Sequence, residues 1–509
     1  MTMAAPLAAP QAEPHRGFIT VCVMLATIMQ ALDTTIANVA LPYMQGSLSV
    51  TFDQVAWVLT SYIVAAAIMT APVGWLAVRF GRKNVFIICT VGFTAASLLC
   101  GVAQGITDMV LYRMLQGIFG AGLVPLSQAV MMDIFPPEKR GQAMAIWGMG
   151  VMLGPIMGPT LGGYLTEYYS WRWVFLINLP FGIATVAGLM AFMPDTKPRE
   201  MRFDWFGFVM LSLFIGALQL MLDRGETLGW FESGEIIAEA VVAGGAAYLF
   251  LAHTLTAEKP FVPPAIFRDW NFTLGVVFMF IVGVLILATV ALLTPFLQSV
   301  MGYPVLSAGF LLGTRGVGTM VSMMIVGRLL QYIDARILIA LGIVFSVISL
   351  WVMSGISPDI SQFTIIWTSV LQGVGMGLIF VPLNTVAFAT LPVQYRTEGA
   401  SMWTLIRNMG SSMGVSIVIA QLTSGTTLMH ARLSEYLTPF SLGFQLMPKG
   451  VMDPATDQGR AMLDGLVTGQ ALTISYQNNF LLMTYMSLLC LPLVLLFRKD
   501  TTSAKAVRR

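Results

Sequence analysis

Charge is what this sequence has least of. Only 10% of its 509 residues are Asp, Glu, Lys or Arg, against about a quarter in an ordinary soluble domain. A chain of this length cannot cover a water-facing surface with so few charges, which excludes a soluble globular protein. Histidine is nearly absent: His15 lies in the N-terminal tail, His253 at the end of an apolar segment and His430 in a polar one, so none is placed to carry protons inside a membrane. No Gly-Lys dipeptide occurs anywhere, so there is no phosphate-cradling loop and no direct ATP hydrolysis. The four cysteines, Cys22, Cys89, Cys100 and Cys490, all sit in apolar stretches, which argues against a disulfide framework. Metal-binding spacings such as Cys-x-x-Cys are missing. No cofactor, metal or nucleic-acid partner is expected, and energy must come from an ion gradient or a partner. The Ala- and Pro-rich N-terminus lacks the basic start and short apolar core of a cleaved signal, so the first apolar segment is expected to stay in the protein.

What the chain has is apolar length: 57% of residues are hydrophobic, and the mean hydropathy is +0.79. About 20 apolar residues cross a bilayer as a helix. That ruler predicts fourteen spans: 17–41, 54–78, 84–103, 109–133, 140–165, 172–193, 204–222, 236–255, 272–297, 306–331, 337–355, 362–387, 398–424 and 473–497. With the N-terminus in the cytoplasm, nineteen of the 27 Lys and Arg face inward and five outward, as the positive-inside rule demands. Both termini are therefore expected in the cytoplasm.

The chain repeats itself. Leu115-Gln116-Gly117 recurs as Leu371-Gln372-Gly373, and Pro136 and Arg140 as Pro392 and Arg396, all at an offset of 256. The expected organisation is a tail (1–16), a six-helix bundle (17–193), an inserted helix pair with linkers (194–271), a second six-helix bundle (272–497) containing an outer loop (425–472), and a second tail (498–509). Two parallel halves of this kind rock about a central site.

Residues found in one half only are candidates for chemistry. Asp33, in mid-span, becomes Thr289 in the second half, and Arg113 becomes Ser369. A lone intramembrane carboxylate costs roughly 2.5–3.5 kcal/mol on insertion scales and usually carries protons, ions or substrate contacts. Helix rise puts the backbones of Asp33 and Arg113 about 6 Å apart in depth, close enough for a pair that changes partners as Asp33 gains and loses a proton. A permanent salt bridge is the competing reading. Gly150, Gly154, Gly158 and Gly162 recur every fourth residue, which suits close helix approach, and the interleaved Pro155 and Pro159 permit a bend. The loop between the second and third spans carries Gly74, Arg79, Gly81, Arg82 and Lys83, expected as a turn with a cytoplasmic latch. Polar or aromatic residues at mid-membrane depth supply candidates for contacting substrate: Gln30, Tyr62, Gln128, Trp147, Phe296, Asn384 and Trp403. Arg315 and Arg407 also fall within spans, with no assignable partner.

The run Leu32-Asp33-Thr34-Thr35-Ile36-Ala37-Asn38, the Arg113-x-x-Gln116-Gly117 motif, Gly154-Pro155-x-x-Gly158-Pro159-x-x-Gly162 and Trp171 to Asn178 resemble the major facilitator superfamily. Within it, the likeness is to the fourteen-span drug:proton antiporters of the EmrB type. The resemblance implies an all-α major facilitator fold in a bacterial inner membrane, with a proton relay at Asp33 beside Arg113. It also implies export of lipophilic or amphipathic toxic compounds, a periplasmic adaptor and an outer-membrane channel. Val78 stands where the superfamily usually has Asp. A second reading is a dedicated exporter of a siderophore, fatty acid or amino acid, with Arg315 and Arg407 as anion partners. A third is a non-transporting sensor or assembly partner.

Overall fold

The computed structural model describes residues 15–498 except 197, 199, 201, 259 and 437–455. Both tails, apart from His15, Arg16 and Arg498, lie outside these residues. Among the described residues all regular structure is helical, the only backbone solution available to a chain that crosses a bilayer without closing a barrel. The helices of the first half are α1 (Arg16–Leu48), α2 (Phe52–Thr70), α3 (Val73–Phe80), α4 (Arg82–Val102), α5 (Ile106–Gly120), α6 (Leu123–Ile134), α7 (Arg140–Tyr168), α8 (Trp173–Leu176) and α9 (Asn178–Phe192). The inserted pair is α10 (Trp205–Arg224) and α11 (Gly234–Thr256). The second half comprises α12 (Trp270–Pro295), α13 (Val305–Leu329), α14 (Ala335–Met353), α15 (Gln362–Ala389), α16 (Arg396–Glu435) and α17 (Asp457–Leu493).

Twelve described segments are long and apolar enough to cross a membrane, and two bent pairs bring the number to fourteen when each counts as one crossing. One bent pair is the second span: α2 and α3 meet at 54°. The segment from Gly74 to Phe80, expected as a turn, is helical, and the chain turns only at Gly81, whose φ of 86° suits glycine. The other bend, of 41°, falls in α7 between Gly158 and Thr160, where Pro159 removes a backbone donor.

The segment 425–472, expected as an outer loop, is mostly helix. α16 continues to Glu435 and α17 begins at Asp457; Lys449 and Asp453 lie outside the described residues. At 1.5 Å per residue, the 40 residues of α16 reach about 60 Å, twice the hydrocarbon thickness. The two extensions stay together through His430 Nε2 and Asp464 Oδ1, 3.0 Å apart.

The ends carrying Arg16, Arg82, Arg140, Arg396 and Arg498 form one end of the bundle, here the basic end. There the halves are joined. Arg82 pairs with Asp133 and donates to Thr397 Oγ1 at 2.9 Å, while Arg396 reaches Asp133 at 3.4 Å. The inserted pair touches both halves: Asp223 accepts from Thr60 of α2, and the Leu222 carbonyl accepts from Ser416 of α16 at 2.8 Å.

Candidate functional site

Asp33 sits halfway along α1 with no solvent exposure. An ionised carboxylate survives there only if hydrogen-bonded and charge-compensated, and its neighbours do both. Arg113 Nη1, from α5, donates to Oδ2 at 2.7 Å. Gln116 Nε2, one turn further along α5, donates to Oδ1 at 2.8 Å. Asn178 Nδ2, at the start of α9, donates to the same oxygen at 3.1 Å. Ser97 of α4 accepts from both amides, at 2.6 Å from Gln116 and 3.1 Å from Asn178.

Arg113 is equally enclosed and does not depend on Asp33 alone. Its Nε donates to the Val58 carbonyl at 3.1 Å and its Nη1 also to Gln116 Oε1 at 2.7 Å. The guanidinium lies over the Tyr62 ring at 4.2 Å and near that of Phe175 at 5.5 Å, a cation–π setting. These contacts can hold the cation if the carboxylate is neutralised. Asn178 Oδ1 is buried without a hydrogen-bond partner. Arg113 and Asp33 are thus brought together as their depths implied. Asn178 appeared in the sequence only as the end of a family-like run, and Ser97 gave no signal at all.

The second half keeps the geometry and drops the charge. Gln372 Nε2 donates to Thr289 Oγ1 at 3.2 Å, and both residues lie 256 positions beyond Gln116 and Asp33.

The glycine stripe of α7 packs on the helix that carries Asp33. A β-carbon at Gly154 would collide with the Ala31 backbone, and one at Gly158 with Thr35; Gly150 meets Met24 and Gly162 meets Ile36. Thr35 Oγ1 donates to the Gly154 carbonyl at 2.9 Å, so α1 and α7 touch at backbone distance.

At the basic end Gly74 does the same for the two halves: its β-carbon would stand 2.8 Å from Glu398 Cα of α16. Gly327 of α13 approaches Gln142 Cα of α7 at 3.4 Å by the same measure, and Gln142 and Glu398 are 256 apart. Val78 supplies no acid here; Asp133, at the end of α6, receives Arg82 instead. Arg79 lies over the Phe80 ring and lines a cavity of about 850 Å³ with Trp75, Tyr395 and Glu398 among others.

The expected substrate contacts do not gather in one place. Gln128 Nε2 donates to Asn384 Oδ1 at 2.7 Å across the halves. Trp147 and Trp403, also 256 apart, are fully buried; Trp147 stacks on Phe380 at 5.9 Å and Trp403 packs edge-on to Phe388 at 5.4 Å. Their indole N–H groups lack acceptors. Tyr62 belongs beside the Arg113 network and receives a long 3.4 Å bond from Gln30. Phe296 lies apart, edge-on to Tyr476 of α17 at 5.1 Å.

Arg315 and Arg407, both half-buried, have no carboxylate within ion-pair reach among the described residues. Arg315 Nη1 donates to the Ile286 carbonyl at 3.3 Å, and Arg407 Nη2 to its neighbour Asn408 at 3.4 Å.

The sequence matches the Major Facilitator Superfamily profile over residues 23–415. It is 34% identical to the "Multidrug export protein EmrB" of Escherichia coli (strain K12) over 493 residues, 95% of this chain and 96% of that protein. It is 32% identical to the "Fatty acid resistance protein FarB" of Neisseria gonorrhoeae over 485 residues, 94% and 95% of the two chains. In fold it is similar to the proton:xylose symporter XylE, with a TM-score of 0.58 at 12% identity, covering 96% of this chain and all of that one.

Proposed function

This chain belongs to the Major Facilitator Superfamily, and from that premise we propose that it exports lipophilic or amphipathic toxic compounds in exchange for protons, by alternating access. The observation that carries the reading is the Asp33–Arg113 pair, fully buried and present in one half only. Charge without a repeat counterpart serves chemistry rather than the fold, since the second half builds the same bundle with Thr289 and Ser369.

Asp33 is the proton carrier. Ionised, it holds α1, α4, α5 and α9 together through Arg113, Gln116 and Asn178. Protonated, it loses the charge that drew Arg113, which falls back on Val58, Gln116 and the face of Tyr62. The new O–H needs an acceptor, and Asn178 Oδ1 supplies one when the amide turns. Because α1 lies against the glycine stripe of α7, and α7 meets α13 of the other half near Gly148 and Met323, a change at Asp33 reaches the surface along which the halves move. No cofactor is needed; the proton gradient is the energy source.

The positive-inside rule supports a cytoplasmic basic end, so this conformation is closed to the cytoplasm by Gly74, Arg82, Asp133 and Thr397. The compartment we propose for this orientation is a bacterial inner membrane. A periplasmic adaptor and an outer-membrane channel complete the route, with the α16–α17 extensions standing where an adaptor would dock. The names of the relatives at one-third identity support a multidrug cargo. In proteoliposomes, an imposed proton gradient is expected to drive ethidium accumulation by wild type and none by Asp33→Asn; equal accumulation by both removes Asp33 from the coupling.

A further inference from the structure

We propose that a single halide ion, chloride in the cell, binds between Arg140 and Arg396 and holds the basic end closed. The two arginines are the first residues of α7 and α16 and occupy the same position of the repeat, 256 apart. They line one small cavity at the seam between the halves, together with Asn384, Met132, Met144 and Phe388. The site goes beyond the exporter reading and stands without it, because it concerns what closes this end whatever the cargo.

Like charges meet there with too little acid between them. Asp133 already accepts from Arg82 and Arg396. Arg396 is only 7% exposed, and its contact with Asp133 is a long 3.4 Å. The Arg140 guanidinium has no hydrogen bond or ion pair among the described residues, and its Nε is buried without a partner. Arg396 stands close enough to repel it, and the compensating charges near it are Asp133 and the exposed Glu138. Glu398, the other acid nearby, lines the larger cavity beside Trp75. Neither α7 nor α16 has a side-chain cap at its start, so the positive ends of two long helices add to the field.

The cavity holds about 10 Å³, close to the least that one water needs. A tetrahedral oxyanion does not fit; a single atom does. Two of the walls are methionines, whose flexible thioethers yield to an ion slightly larger than water. Two weakly hydrated guanidiniums and apolar walls suit a polarisable monovalent anion. Because each half contributes one arginine, the ion holds both only while the basic end is closed. Opening parts them, so the ion binds the closed state better and shifts the equilibrium toward it.

The test uses the purified full chain in dodecyl maltoside, spin-labelled through Phe80→Cys and Tyr332→Cys; the native cysteines are buried. Both labelled positions are exposed and belong to opposite halves. Phe80 ends α3, and Tyr332 follows Leu330, which meets Gly141 at the basic end. Pulsed distance measurements compare chloride, bromide, sulfate and gluconate at one ionic strength. Chloride and bromide are expected to raise the closed-to-open ratio about tenfold over gluconate, and sulfate to match gluconate. Arg140→Gln and Arg396→Gln are each expected to remove the halide effect. Arg140→Lys, which keeps the charge and serves as the folding control, is expected to retain part of it. Equal ratios in chloride and gluconate, an effect of sulfate as large as that of chloride, or a halide effect that survives both Gln substitutions overturns the site. Should a Gln variant fail to fold, the comparison of the four salts on the labelled parent decides the matter alone.

Discussion

Gln128 donates to Asn384 across the two halves, and the two residues are the same position of the repeat, 256 apart. A contact between equivalent positions lies on the pseudo-symmetry axis, so this bond marks the line about which the halves are related. Asn384 Nδ2 is already committed to the Phe380 carbonyl at 2.7 Å, so losing Gln128 strands Asn384 Oδ1 in a buried site. Gln128→Leu is expected to lower stability by about 1–3 kcal/mol. Adding Asn384→Leu is expected to cost less than the sum of the single changes. Thermal unfolding of the two single variants and the double in detergent measures the coupling.

The glycine stripe should tolerate size only where α1 is not in the way. Gly154→Leu and Gly158→Leu force α7 away from Ala31 and Thr35 and are expected to abolish transport. Gly163, whose β-carbon would find Val39 only at 4.0 Å, is expected to accept Ala with near-normal transport. Drug accumulation in proteoliposomes, with the amount of folded protein checked by size-exclusion chromatography, separates the two classes.

At the basic end, Gly74→Val pushes a branched side chain into the Glu398 backbone. Overpacking of this kind costs about 1–3 kcal/mol, and it falls only on the conformation that closes this end. The expected result is a shift toward opening at the basic end, read as a lengthened spin-label distance between the two halves there. Asp133→Asn, which removes the acid shared by Arg82 and Arg396, is expected to shift the distance in the same direction.

The sequence made the spans, the repeat and the Asp33–Arg113 pair legible, because polar groups inside apolar runs are rare and helix rise fixes their depth. Asn178 and Ser97 were not legible: polar side chains near helix ends ordinarily serve the interface, and only the packing of α4, α5 and α9 turns these two toward Asp33. The helix from Val73 to Phe80 read as a turn because its glycine and cations are turn-like, yet Gly74 serves close approach to α16. The extensions of α16 and α17 read as a loop because they are polar, whereas they continue as helices that meet outside the apolar zone through His430 and Asp464. The offset of 256 also relates Trp147 to Trp403 and Gln128 to Asn384, residues chosen singly for their depth.

The central claim is that one buried carboxylate exchanges a proton for cargo. Proton release on drug addition, from purified protein in weakly buffered detergent between pH 6 and 9, tests it most directly. Wild type is expected to release protons when ethidium binds, and Asp33→Asn to bind ethidium without release. Binding without release in wild type, or equal release from both proteins, contradicts the account and leaves Asp33 a structural partner of Arg113.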